Sequence, residues 1–214
     1  MYRILIADDH PIVLKGLKQI LEESGIVRRI TQVNSGEEVL ATIKENNFDM
    51  VLLDISMSGI NGIETLEEVK KLKPSLPVLI LSMYPEKDYA LRAIKAGASG
   101  YLTKKSAPAE LANAISKIAR GGRYISPVLA DLIASTLTAS SDTPPHERLS
   151  NREFQVLRMI ASGKSLKEIG GEISLSPKTI GTFRTRILQK LNLTGNAELV
   201  RYALKHELFE LPPE

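Results

Sequence analysis

MVLLDI, residues 50–55, is a short apolar run with an acid near its end, and such a run is typical of a strand buried on both faces. Similar runs precede and follow it, including RILIA at 3–7 and PVLILS at 77–82. Helical apolar periodicity fills the intervals between them, as in PIVLKGLKQILEE at 11–23. Strands that alternate with helices in this way predict a parallel sheet with helices on both of its faces.

The alternation continues through residues 1–123 and gives five strands and five helices, which predict an open α/β domain. Residues 126–137 predict one more amphipathic helix, and residues 138–148 are polar and contain two prolines. We therefore expect a linker helix and a flexible linker over 124–148. Only helical patterns follow in 149–214, and they predict a second, small all-α domain of four helices.

The composition fits a globular protein of two domains. The chain has 214 residues, and its 43% hydrophobic and 25% charged residues disfavour disordered and fibrous classes. The absence of cysteine excludes disulfides and thiolate metal sites. Acidic residues occur at positions 8 and 9, too early for the apolar segment of a secretory signal. No apolar run approaches the roughly 20 residues that a membrane span needs. We expect a cytoplasmic protein without a membrane partner.

The net charge of +3 is modest, but its position is informative. Residues 149–214 carry ten Lys or Arg and seven Asp or Glu, so the whole excess lies in the second domain. Residues 176–191 contain four cations and no acid, as a helix that faces phosphates would. A basic face that is merely solvated remains the alternative.

Polar residues follow the predicted strands at the edge where parallel strands bring their carboxyl ends together. Asp8 and Asp9 follow the first strand, Asp54 the third, Ser82 the fourth and Lys104 the fifth. Three neighbouring carboxylates repel one another, and Mg2+ is the hard cation that best compensates them. These groups suit in-line phosphoryl transfer, with Asp54 as nucleophile, Lys104 paired with phosphoryl oxygens and Ser82 as a hydrogen-bond donor.

Taken singly, each of these residues is more often a cap, a turn or a packing residue than a functional one. The alternative class is a phosphohydrolase with an aspartyl nucleophile, whose second acid stands two residues after the first. Ser56 occupies that position here. No glycine-rich phosphate loop follows the first strand, which also disfavours a nucleotide-binding enzyme. We expect no enzyme that turns over a small substrate, but a protein that accepts a phosphoryl group and loses it slowly.

Four motifs resemble the receiver domain of response regulators, and the resemblance covers residues 3–122. The motifs are ADDH at 7–10, LLDI at 52–55, LS at 81–82 and GYLTK at 100–104. The resemblance implies a flavodoxin-like, doubly wound parallel sheet of five strands in the order 2-1-3-4-5.

The same resemblance assigns roles to the acidic residues. It implies that Asp54 accepts a phosphoryl group from a sensor histidine kinase. It also implies that Asp9, Asp54 and the backbone carbonyl of Ser56 bind magnesium directly, whereas Asp8 binds it through water.

The resemblance further implies a switch. Ser82 moves toward the phosphoryl group and Tyr101 turns inward behind it. The face formed by the fourth helix, the fifth strand and the fifth helix changes as a result.

Two helix starts in the second domain indicate a helix-turn-helix. Ser165 and Glu168 form a capping-box pattern, and Ser176 followed by Pro177 reads as an N-cap with proline at the first helical position. The two starts are only 11 residues apart, so the connection must be tight. The second of these helices would be the recognition helix.

The recognition helix is predicted to have one apolar face and one polar face. The apolar face contains Ile180, Phe183, Ile187, Leu188 and Leu191. Arg184 projects nearer to that side, so we expect it to matter less for reading bases. The candidates for contact with bases or phosphates are Lys178, Thr179, Thr182, Thr185, Arg186, Gln189 and Lys190. A helical bundle that binds only proteins is the alternative.

Residues 149–206 resemble the LuxR-type helix-turn-helix of NarL/FixJ response regulators. The sequence departs from the usual pattern at Gly170 and Gly171 and at Gly181 and Phe183, so the operator cannot be taken from relatives. The final helix offers Leu199, Tyr202 and Ala203 on one side. In the family that it resembles, this helix pairs two DNA-bound subunits, which predicts a homodimer here.

The domain order matches the same subfamily and predicts a transcription regulator. The expected partners are a histidine kinase, double-stranded DNA, RNA polymerase and a second copy of the chain. We expect the unphosphorylated receiver to restrain the second domain, and phosphorylation to release it and favour dimerisation.

Overall fold

The computed structural model describes residues 1–138 and 144–209. Contacts between residues group the chain into two compact units, Met1–Thr138 and Ala139–Glu214. Within the described residues, no helix is both long and apolar enough to cross a membrane.

The first unit is a five-stranded parallel sheet in the order β2-β1-β3-β4-β5, which confirms the predicted fold class. Its strands are β1 (Tyr2–Ala7), β2 (Val27–Val33), β3 (Met50–Asp54), β4 (Val78–Ser82) and β5 (Gly100–Thr103). Its helices are α1 (Pro11–Glu23), α2 (Gly36–Glu45), α3 (Gly62–Leu72), α4 (Glu86–Lys95), α5 (Ala107–Ala119) and α6 (Pro127–Thr138).

The central strands are buried on both faces. Every residue of β3 and of β4 is buried, which explains why these strands read as continuous apolar runs rather than as alternating patterns. Residues of α1 and α5 share one core cluster with the sheet, including Leu17, Leu52 and Leu111. This packing fixes the strands in a register that aligns their carboxyl ends: Ala7 lies beside Leu53.

The segment after α5 extends the sheet edge. Tyr124 forms a parallel bridge with Gly100, and its amide donates a hydrogen bond to the Ser99 carbonyl at 2.9 Å. A side chain at Gly100 would come within 2.8 Å of the Tyr124 Cβ, so the close approach requires glycine. The hydroxyl of Ser126 bonds to the Glu86 carboxylate at the start of α4. These contacts place α6 in the first unit, packed on α4.

Over residues 144–209, the second unit contains a short 3-10 helix, Pro145–Arg148, followed by four α-helices. They are α7 (Asn151–Ala161), α8 (Leu166–Glu172), α9 (Pro177–Leu191) and α10 (Asn196–Lys205). Helix α9 packs against α7 and α8, and α10 packs against α7. The core includes Phe154, Leu157, Ile169, Ile187 and Leu199, each almost fully buried.

Candidate functional site

Acidic side chains from two strand ends meet at the carboxyl edge of the sheet. Asp8, Asp9 and His10 follow β1, and Asp54 ends β3. One ligand atom from each of these four residues lies within 4.8 Å of the others. The structure thus brings together the three carboxylates that the sequence predicts, because the sheet register aligns the ends of β1 and β3.

Lys104 lies just beyond β5 and joins this cluster. Its Nζ atom is 2.6 Å from Asp8 Oδ2 and 3.0 Å from Asp54 Oδ2, and its side chain is only 8% exposed. Its backbone amide donates a hydrogen bond to the Ser82 carbonyl at 2.7 Å. The end of β4 therefore holds the lysine where its ammonium faces two carboxylates.

The cluster has more negative charge than its own cations neutralise. Lys104 and the exposed ring of His10 approach the carboxylates at ion-pair distances. Asp8 Oδ2 and Asp54 Oδ2 share the single ammonium of Lys104, and Asp9 Oδ1 lies 2.8 Å from His10 Nδ1. Three carboxylates thus face one lysine. Several carboxylate oxygens at such close range are the ligands that a hard divalent cation takes.

The environment of Asp54 changes its acidity. The carboxyl group is 1% exposed, and burial raises its pKa to about 6. Lys104 opposes this rise in pKa, and the charge of Asp8 adds to it. A cation in the cluster would favour the ionised form, which is the form that can act as a nucleophile.

Ser82 and Tyr101 are connected through the loop after β4. Ser82 is fully buried, and its hydroxyl oxygen accepts a hydrogen bond from the Tyr84 amide at 3.1 Å. Tyr101 is also fully buried and points inward, and its hydroxyl donates to the Tyr84 carbonyl at 2.9 Å. Tyr84 therefore links both residues to one loop. Ser56 lies in the loop after β3 and is half-buried.

The second unit has the capping pattern of a helix-turn-helix. Ser165 and Glu168 form a capping box at the start of α8. Ser176 caps α9 and accepts a hydrogen bond from the Thr179 amide at 3.1 Å. Ser174, between the helices, has a φ of 54°, which turns the chain sharply.

The predicted DNA-reading residues lie along the side of α9 that the core leaves uncovered. Thr179 is half-buried. The other six are exposed, and they are Lys178, Thr182, Thr185, Arg186, Gln189 and Lys190. The hydroxyls of Thr182 and Thr185 donate to backbone carbonyls four residues earlier, so their oxygens are left as acceptors.

Both parts of the chain match known families. Residues 4–116 match the family model for the response regulator receiver domain, and residues 147–203 match that for the luxR family of bacterial regulatory proteins. The chain belongs to the response regulators. This confirms the predicted family and its order of domains.

Similar proteins cover almost the whole of this response regulator. Response regulator UvrY of Escherichia coli K12 is 34% identical over 97% of this chain and 96% of its own length. Response regulator GacA of Pseudomonas protegens is 35% identical over 98% of this chain and 99% of its own length.

Solved structures of response regulators are similar to this chain. The RcsB–DNA complex is 25% identical, with a TM-score of 0.55, over 95% of this chain and 98% of that one. RcsB of Salmonella enterica serovar Typhimurium, bound to promoter P1flhDC with the phosphomimetic BeF3−, has a TM-score of 0.56 at 25% identity over 94% and 97%. A LuxR-family regulator from Aurantimonas sp. SI85-9A1 has a TM-score of 0.58 at 34% identity over 65% and 99%.

The last helix of this response regulator differs from the expectation for subunit pairing. Leu199 and Ala203 are fully buried in the core of their own unit and present nothing to a second copy. Tyr202 is half-buried, and its hydroxyl lies 3.0 Å from His146 Nδ1. Leu204, on another side of α10, is 43% exposed.

Two residues that support the chain around Asp54 were not predicted from the sequence. Asn61 caps α3 by accepting hydrogen bonds from the amides of Ile63 and Glu64 at 3.0 and 2.9 Å. A methyl group added at Gly62 would overlap the Asp54 carbonyl oxygen and lie 2.7 Å from its carbonyl carbon. An asparagine followed by glycine before a periodic helix is the signal that could have identified this contact.

Proposed function

We propose that this response regulator accepts a phosphoryl group on Asp54 from a sensor histidine kinase, and that phosphorylation controls dimerisation and the binding of double-stranded DNA. The observation that carries the proposal is the environment of Asp54. A buried carboxylate at the sheet edge has an ammonium at 3.0 Å and two further carboxylates beside it. Buried charges clustered in this way are more typical of a functional site than of a group that only stabilises the fold.

The chemistry needs one bond to form and one to break. An Asp54 carboxylate oxygen forms a bond to phosphorus while the bond between phosphorus and the donor histidine nitrogen breaks, and the leaving imidazole takes up a proton. Lys104 stabilises the charge on the phosphoryl oxygens, and Ser82 donates a hydrogen bond to one of them once its hydroxyl turns toward them.

The acidic cluster fits magnesium, since three carboxylates offer oxygen ligands within 4.8 Å of one another. Asp9, Asp54 and the Ser56 carbonyl would hold the ion directly, and Asp8 would hold it through water. The ion supplies charge neutralisation for the incoming phosphoryl group. A slow loss of the phosphoryl group, without turnover of a small substrate, follows from Ser56 standing where a phosphohydrolase has its second acid.

The response to phosphorylation would pass through Ser82, Tyr84 and Tyr101, which the two hydrogen bonds to Tyr84 connect. The domains of the working protein would be a receiver over 1–123, a linker over 124–148 and a DNA-binding domain over 149–214. Coupling of about 1 to 3 kcal/mol between two sites is typical of allosteric proteins. Phosphorylation would therefore tune DNA affinity rather than switch it absolutely.

The exposed side of α9 would read DNA in the major groove, with Lys178 and Arg186 on phosphates and Thr182, Thr185 and Gln189 nearer the bases. RcsB, a similar protein, has been solved with DNA and as dimers on DNA, which supports the same role here. RNA polymerase would be the further partner of a transcription regulator in the cytoplasm.

The test is labelling by acetyl phosphate in the presence of magnesium, followed by intact mass measurement. Wild type and Asp131→Asn, which alters an exposed acid on α6, should each gain one phosphoryl group, and Asp54→Asn should gain none. Labelled wild type should then bind duplex DNA more tightly and sediment as a dimer. Labelling of Asp54→Asn equal to that of wild type would refute the assignment.

A further inference from the structure

A cleft of about 470 Å3 lies at the amino ends of β4 and β5, whereas Asp54 lies at the carboxyl ends of the strands. The ends of three helices form its walls: Lys70 and Pro74 come from α3 and the loop after it, Lys95 from α4 and Arg123 from the segment after α5. We call it the basic cleft and define it by Lys70, Lys95 and Arg123. Its volume is within the range of small-molecule sites.

The residues that line the basic cleft include three cations and no acid. Burial, and then the nearby charge of Arg123, lower the pKa of Lys70. The two like charges therefore repel each other across the cleft. An anion between them would remove this repulsion.

Local hydrogen bonds account for Lys70 but not for Arg123. The Lys70 ammonium donates to the Leu76 carbonyl at 2.6 Å and to the Pro74 carbonyl at 3.4 Å. Carbonyl groups near a helix C-terminus attract cations, so Lys70 has a structural reason to be there. Arg123 is exposed, and within residues 1–138 and 144–209 its guanidinium has neither a hydrogen bond nor an ion pair. The N–H donors of its planar guanidinium group are thus available to a ligand.

The other walls offer donors and little steric bulk. Ser75 and Ser99 line the cleft, and their hydroxyls form no hydrogen bond with any described residue. Gly97 and Gly121 have φ values of +100° and +83°, which residues with a side chain rarely adopt. Glycine is therefore favoured at both positions, and neither adds a side chain to the wall of the cleft. Hydroxyl groups and a planar guanidinium are the donors that bind phosphate oxygens well.

We propose that the basic cleft binds an oligophosphate anion, either inorganic or as part of a nucleotide, with Arg123 and Lys70 as its principal ligands. The C-termini of α3, α4 and α5 oppose an anion at this place, so the three cations of the basic cleft must outweigh them. The site is separate from Asp54 and does not depend on phosphoryl transfer.

Calorimetry of the full chain in EDTA tests this proposal, with inorganic pyrophosphate and ATP as probes. Without a divalent cation, the acidic cluster should repel both probes. The informative variant is Arg123→Gln, since Arg123 is exposed and its loss should leave the fold intact. The matched control is Arg120→Gln, which removes an exposed arginine three residues earlier that does not line the cleft.

Wild type and Arg120→Gln should bind one pyrophosphate with equal affinity, and Arg123→Gln should bind it about tenfold more weakly, because one charge-assisted contact is lost. Tighter binding of ATP than of pyrophosphate, with the same loss in Arg123→Gln, would assign the site to a nucleotide. Equal binding of both would assign it to the phosphates alone. Either an absence of saturable binding or equal weakening by both substitutions would overturn the proposal.

Discussion

Lys190 Nζ lies 2.6 Å from Glu153 Oε2, so the end of α9 is tied to the start of α7. Glu153 is 3% exposed, and the same oxygen accepts a hydrogen bond from the Ser150 amide at 2.7 Å. One carboxylate therefore closes the capping box of α7 and also holds the proposed recognition helix. The sequence predicts Lys190 as a DNA contact, whereas its ammonium is bound within its own unit.

Replacing Lys190 with methionine should lower stability more than it lowers the salt dependence of DNA binding. Burial opposes the ionisation of Glu153, but Lys190 and the Ser150 backbone hold its pKa below the usual value. We expect a loss of about 1 to 2 kcal/mol in the free energy of unfolding at pH 7, because Lys190 is 42% exposed and water screens the pair. A lowered carboxyl pKa gives its full stabilisation above the unfolded value and loses it as pH falls through the folded value, so this loss should shrink below about pH 4. Urea titrations at several pH values measure it.

Lys178→Met is the matched control. Lys178 is exposed at the start of α9, and its removal should change stability by less than about 0.5 kcal/mol. It should reduce the slope of log affinity for duplex DNA against log salt by about one unit, as the loss of a phosphate contact does. If Lys190→Met reduced that slope as much without loss of stability, Lys190 would be a DNA ligand after all.

Asp54→Asn should stabilise the metal-free protein above pH 6. The pKa of Asp54 is raised to about 6, so in the folded state the group binds a proton more strongly than in the unfolded state, where it titrates near 3.9. Ionisation therefore destabilises the fold at high pH, and this penalty disappears as pH falls below about 4. In EDTA at pH 8 the variant should be roughly 1 to 3 kcal/mol more stable than wild type, and near pH 4 the two should be equal. Magnesium should raise the melting temperature of wild type more than that of the variant. A stability difference that did not change between pH 4 and pH 8 would contradict the proposed protonation.

The main features of the fold and of the acidic cluster could be predicted because they follow from strand ends. Parallel strands bring their carboxyl ends to one edge, so Asp8, Asp54 and Lys104 could be assigned to one place from their positions after apolar runs. The partner of Lys190 could not be predicted, since Glu153 is 37 residues away in the sequence. Helical periodicity shows which side of α9 Lys190 occupies, but not which other helix packs against that side. The burial of Leu199 could not be distinguished from a dimer surface for the same reason.

Tyr101→Phe should weaken the link to the loop after β4 without affecting phosphoryl uptake. The Tyr101 hydroxyl donates to the Tyr84 carbonyl at 2.9 Å, and its loss should lower the free energy of unfolding by about 1 kcal/mol. Acetyl phosphate labelling should stay at the wild-type level, but the gain in DNA affinity on labelling should decrease. Tyr2→Phe is the control, since its hydroxyl has no partner among the described residues, and it should match wild type in all three measurements. A full gain in DNA affinity in Tyr101→Phe would exclude this tyrosine from the response.

Gly62→Ala should distort the chain around Asp54. The added methyl group would overlap the carbonyl of Asp54 and come within 2.8 Å of the Ile55 Cα, so α3 and the end of β3 must move apart. Overpacking of this kind costs about 1 to 3 kcal/mol, and it should also slow labelling because Asp54 itself is displaced. Gly16→Ala is the control, since nothing lies within 4 Å of the added methyl group and alanine favours the interior of α1 by roughly 0.5 to 1 kcal/mol. Urea titration and the rate of mass gain measure both effects. If Gly62→Ala were as stable and as quickly labelled as wild type, the close approach of α3 to Asp54 would not be needed to position the carboxylate.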